Sequence, residues 1–162
     1  MGALEEMILG YFARDNWQVQ QHEAEPYIRF EYGNEDGSWV CLIWHIEDDA
    51  QILIYSILSV QVPVARRADV AEFIVRANYG RALGCFELNY DTGETRYRTS
   101  VDFGAGDITP APFVPALKTN LLCFGDHLKA LEDVIAGRVD PASAVATVLA
   151  DQPDLDFRDD GY

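Results

Sequence analysis

Ser38-Trp39-Val40-Cys41-Leu42-Ile43-Trp44-His45-Ile46, the acidic break Glu47-Asp48-Asp49, and then Gln51-Ile52-Leu53-Ile54-Tyr55-Ser56-Ile57-Leu58 decide how this chain folds. Both apolar runs are rich in β-branched and aromatic residues, which suit a pleated surface. Side chains along a strand alternate between two faces. One face of the first run carries Val40, Leu42, Trp44 and Ile46, and the other carries Trp39, Cys41, Ile43 and His45. In the second run Ile52 and Ile54 point one way, and Leu53, Tyr55 and Ile57 the other. A strand apolar on both faces needs cover on both. Helices of the same chain can supply one cover. The other calls for more helices, a second subunit or a bound partner.

Two strand signals precede this pair: alternation around Trp17, Val19 and Gln21, and Tyr27–Tyr32 after Pro26. The loop Gly33–Gly37 joins them to the central pair. Four strands joined by short polar turns predict an antiparallel meander. Ahead of it, Leu4, Met7, Ile8, Tyr11 and Phe12 recur at helical spacing and predict a helix over 4–14.

After Pro63, Val70, Phe73, Ile74 and Ala77 predict a helix over 65–79. Cys85–Tyr90 and Thr95–Val101 flank Asp91-Thr92-Gly93-Glu94 and predict a hairpin. Its outer face, Arg96, Arg98 and Ser100, is expected to be wet or paired with acids. The three prolines between Gly104 and Pro115 predict a loop. A helix is then expected over about 115–136, where Leu117, Leu121, Phe124, Leu128, Leu131 and Ile135 form a heptad-like seam. Asp140-Pro141 opens a last short helix to about Ala150. The order α-β-β-β-β-α-β-β-α-α is that of an α+β fold with a mostly antiparallel sheet and flanking helices. Residues 1–150 read as one domain, and 151–162 as an acidic, flexible tail.

Twelve Lys and Arg stand against 27 Asp and Glu in 162 residues, a formal charge of −15. Such a field repels phosphate backbones and anionic membranes, so neither nucleic acid nor a membrane is an expected partner. The opening residues lack a basic leader, and the three cysteines are widely spaced. Both point to the cytoplasm.

No catalytic, cofactor or metal residues are assigned from the pattern. Gly104-Ala105-Gly106 lacks the third glycine of a dinucleotide loop. Cys123 and His127 lie four apart on a helix, yet two ligands do not make a zinc site. The large apolar residues Trp39, Ile57, Leu121, Phe124 and Leu128 are the candidate interface positions, with a homodimer and a protein or peptide as the expected partners.

Arg76-Ala77-Asn78-Tyr79-Gly80, Gly84-Cys85-Phe86-Glu87-Leu88 and Asp91–Asp102 with its Arg96-Tyr97-Arg98-Thr99 run resemble the YbjN family, bacterial and largely uncharacterised. Tyr55–Leu58, Val62-Pro63 and the opening helix followed by Trp17 and Val19 extend the resemblance over roughly residues 4–150. It implies a type III secretion chaperone-like fold, small, acidic and commonly dimeric, that holds extended peptides. A fourth strand in the first sheet segment and an extra C-terminal helix depart from that order. The resemblance implies no catalytic residue. The expected function is a non-enzymatic protein-binding adaptor, chaperone-like or regulatory. The alternative is a small-molecule- or metal-binding enzyme with an unrecognised site, for which Cys123 with His127 is one candidate pair.

Overall fold

The computed structural model describes residues 2–151, so the tail expected over 151–162 lies outside the described residues apart from Asp151. Helix α1 (Ala3–Arg14) leads into strands β1 (Val19–Gln21), β2 (Tyr27–Asn34), β3 (Gly37–Ile46) and β4 (Gln51–Ile57). Helix α2 (Arg67–Asn78), strands β5 (Cys85–Leu88) and β6 (Thr95–Asp102), and helices α3 (Pro110–Ile135) and α4 (Pro141–Ala150) follow. The strands form one six-stranded sheet, ordered β1-β2-β3-β4-β6-β5, with every neighbouring pair antiparallel. This is the expected α+β architecture. The hairpin joins the meander through β6, so β3 and β4 sit at the sheet centre.

All four helices lie on one side. Phe12 of α1 meets Phe30 of β2 with ring centroids 5.2 Å apart. Phe73 of α2 meets Phe86 of β5 at 6.2 Å, and Phe124 of α3 meets Trp39 of β3 at 5.1 Å. α4 forms an outer layer on α2 and α3. Phe12, Phe30, Phe73, Phe113, Phe124 and Tyr97 are almost wholly buried between sheet and helices. Burying rings of this size supplies the largest apolar contribution a core can have.

α3 begins at Pro110, five residues earlier than the prolines of this stretch suggest. The reason is the unpartnered first turn of a helix. Its N–H groups have no intrahelical acceptor, so Pro110 and Pro112 remove nothing that would have bonded, and only Pro115, inside the helix, gives up a bond. α4 starts as expected, with the Asp140 carboxylate accepting the Ser143 N–H at 3.0 Å. α1 is capped from a distance. The Glu47 carboxylate accepts the N–H groups of Leu4 (3.2 Å) and Glu5 (3.1 Å). An acid there also matches the positive end of the helix dipole. The Glu47-Asp48-Asp49 turn is thus more than a solvated link between strands. No helix among the described residues is long and apolar enough to cross a membrane.

Candidate functional site: the helix-free face of the sheet

The alternation along β3 and β4 divides their apolar residues between two different environments. Trp39, Cys41, Ile43, Ile52, Ile54 and Ser56 face the helices and are buried. Val40, Leu42, Trp44, Ile46, Leu53 and Ile57 face the other way and are half-exposed. No described helix covers them.

The strand register orders this second face into rows. One row reads Glu31, Val40, Ile57, Arg96, Glu87 across β2, β3, β4, β6 and β5. The next reads Arg29, Leu42, Tyr55, Arg98, Cys85, and the third reads Tyr27, Trp44, Leu53, Ser100. The centre is therefore an apolar stripe two strands wide, and charge is confined to the rims. On the β2 rim Arg29 bonds Glu31 at 3.1 Å. On the β6 rim Glu87 accepts from Arg96 Nε at 2.8 Å and from Arg98 Nε at 2.7 Å. Burial alone would raise the Glu87 carboxyl, but its bonds to Arg98 and Arg96 hold it below the usual range. The Arg96 guanidinium also lies over the Tyr55 ring, 4.3 Å from its centre. Tyr55 is buried by these neighbours, yet it is not part of the core on the helix side. Two shallow hollows flank the stripe, one at Gln18, Gln20, Arg29 and Glu31, the other at Glu87, Asn89, Glu94 and Arg96.

Of the five candidate interface residues, only Ile57 lies on this face. Trp39, Leu121, Phe124 and Leu128 are buried within the chain's own core. The heptad-like seam of α3 packs on the sheet and on the other helices, so a stripe of that period served an intramolecular contact here.

The helix side holds two polar clusters, and both bind structure together. Asn120 is fully buried on α3. Its amide donates to the carbonyls of Ile54 (2.9 Å) and Tyr97 (3.1 Å), and its oxygen accepts from Ser56 at 2.7 Å. Ser56 in turn accepts the Trp39 indole N–H at 2.9 Å. Cys41 lies beside Ser56, and burial pushes its thiol up to about 12. The sequence reading missed Asn120 and Ser56, whose one signal is a polar residue set inside an apolar stretch. Their pairing across 64 positions leaves no signal.

Cys123 and His127 do come together, but around Arg81. The guanidinium donates to Cys123 Sγ at 3.2 Å and to His127 Nε2 at 3.0 Å. An arginine only donates, so Nε2 accepts, and Nδ1–H donates to the Cys123 carbonyl at 2.7 Å. Burial first, then the nearby Arg81 charge, push the His127 imidazole down to about 4. The ring is neutral and both its nitrogens are used. A guanidinium in contact with the thiol and the imidazole opposes a metal cation at the same place. Among the described residues no three His, Cys, Asp or Glu side chains converge as a metal site. His45 is buried on the same side, its Nδ1 3.4 Å from Glu47 Oε1 and otherwise without a hydrogen-bond partner.

Residues 5–119 match the YbjN family model, described as a "putative bacterial sensory transduction regulator". No curated protein matches the chain.

Proposed function

The chain belongs to the YbjN family, and from that membership we propose that it is a non-enzymatic regulator that acts in the cytoplasm by docking a protein partner on the helix-free face of its sheet. The observation that carries this reading is the apolar stripe Val40, Leu42, Trp44, Leu53 and Ile57, bounded by charged rims and, among the described residues, left without a helix. An exposed apolar patch with a polar border is the usual anatomy of a protein interface. Trp, Tyr and Arg, the residue types that dominate interface energetics, are all present there as Trp44, Tyr55 and Arg96. The regulator description of the family supports the same direction. The polar groups best suited to chemistry, at Arg81, Cys123, His127, Ser56 and Asn120, are committed to internal bonds.

Affinity capture from source cells, with wild-type chain and with Leu42→Glu, tests the reading. A protein held by the wild type and released by the substitution is the expected result. Capture that Leu42→Glu leaves unchanged would overturn it.

A further inference from the structure

We infer that Cys123 is a site of reversible oxidation, at which a hydroperoxide delivers one oxygen to the sulfur while the Arg81 guanidinium holds the negative charge the reaction needs there. The site lies on the helix side, apart from the docking face, and the inference does not rest on that face. It adds a modification of the chain, not a turnover reaction.

Arg81 differs from most arginines of this chain. Arg29, Arg66, Arg76, Arg96, Arg98 and Arg138 each lie against a carboxylate. Arg81 forms no such ion pair among the described residues. Its Nε donates to the Ala77 carbonyl at 3.2 Å, and its other two nitrogens bond Cys123 Sγ and His127 Nε2. Its guanidinium carbon lies 5.6 Å from the centre of the Tyr97 ring. Burial raises the Asp126 carboxyl, and the Arg81 charge only partly offsets that push. Of the groups touching Arg81, the Ala77 carbonyl does not ionise and the His127 ring is neutral. The Tyr97 phenol, pushed up by burial, spends its proton on the Leu83 carbonyl at 2.6 Å. The sulfur is the group left to become anionic, and a thiolate is the reactive form of cysteine. Cys123 is half-buried and Leu122 and Asp126 beside it are exposed, so a small oxidant has access.

The chemistry balances. The thiol loses its proton to solvent, and the thiolate attacks the distal oxygen of R–O–O–H. The S–O bond forms as the O–O bond breaks, and the departing R–O⁻ takes a proton from solvent. The products are Cys123–SOH and ROH, with sulfur losing the two electrons that the peroxide gains. A guanidinium has five N–H groups, and three are spent in the bonds above, so the second N–H of Nη1 remains for the departing oxygen. One thiol then displaces water to form a mixed disulfide, and a second releases Cys123.

The other two cysteines lack this combination. Cys41 is fully buried, and that burial pushes its thiol up to about 12. Cys85 is half-buried with Arg98 Nη2 at 3.6 Å, but Glu87 already takes Arg98 Nε at 2.7 Å.

Hydrogen peroxide oxidation of the full chain, with dimedone trapping and peptide mass spectrometry, times all three thiols in one sample. Cys123 is expected to react at least about 10-fold faster than Cys85, with Cys41 unmodified, and dithiothreitol added before dimedone to erase the Cys123 adduct. Arg81→Met, its fold checked by circular dichroism, is expected to slow Cys123 about 10-fold and leave Cys85 unchanged. Arg81→Lys keeps the cation and is expected to recover part of the loss. Mere loosening of the site would expose Cys123 and speed its reaction. A Cys123 that reacts as fast or faster in Arg81→Met therefore overturns the part given to Arg81. A Cys123 no faster than Cys85 in the wild-type chain overturns the site, whatever the variants do.

Discussion

The two faces of the β3–β4 pair are built from alternate residues of the same strands and have opposite economies. On the helix side Trp39, Ile43, Ile52 and Ile54 are sealed under α1 and α3, and the Trp39 indole and the Ile54 carbonyl are bonded through Ser56 and Asn120. On the other side Val40, Leu42, Trp44 and Ile57 are no less apolar, yet no described helix covers them, and the Arg96 guanidinium lies over Tyr55. Apolar content alone therefore does not distinguish core from docking surface. The difference lies in what the rest of the chain can supply as cover.

Substitutions should separate the two faces sharply. The largest effect is expected from Phe124→Ala on the helix side, which opens a cavity against Trp39 and Phe86 and should cost about 3–5 kcal/mol in chemical denaturation. If it cost no more than a face substitution, the contrast would fail.

Acid should act on the helix side next. His127 is neutral in the folded chain down to about pH 4, whereas the unfolded imidazole takes its proton near 6.5. The unfolded state therefore binds more protons between these values, and stability falls as pH drops from 6.5 to 4, by on the order of 3 kcal/mol from this residue. Denaturation at a series of pH values should show that slope, and His127→Gln should flatten it in the same window. The carboxylate of Glu87 works in the same direction at lower pH. Its folded pKa is held down by Arg98 and Arg96, so its contribution is present above the unfolded value and is lost as pH falls through the folded one.

Asn120→Ala should cost roughly 1–3 kcal/mol, because the Ser56 hydroxyl loses its acceptor in a place water does not replace. The smallest expected effect is on the other face. Ile57→Asp should change monomer stability by about 1 kcal/mol or less, measured at a concentration where the chain does not associate. A large loss there would mean that the face is core after all.

Much of this contrast was legible before the fold. The double apolar alternation of Trp39–Ile46 and Ile52–Ile57 predicted that the chain's own helices would cover one face and that the other would call for more helices, a second subunit or a bound partner. The meander, the hairpin and the helix stripes follow from periodicity and turns that each segment carries by itself, whereas the pairing of β4 with β6, which joins hairpin to meander, does not. The start of α3 was obscured because prolines are read as breakers, although a first turn tolerates Pro110 and Pro112 and the helix continues through Pro115. The seam residues Leu121, Phe124 and Leu128 carried a pattern that serves intramolecular and intermolecular packing equally, so periodicity did not choose between them. Arg81 on Cys123 and His127, and Glu47 on the start of α1, are contacts across 42 to 46 positions. No local rule brings such residues together.

Hydroxyl-radical footprinting of the free chain and of the chain with its captured partner tests the central claim most directly, because Trp44 and Trp39 report the two faces in one sample. The account predicts that Trp39 is protected in both, that Leu122 is reactive in both, and that Trp44 is reactive in the free chain and protected in the complex. A Trp44 equally reactive in both would contradict it.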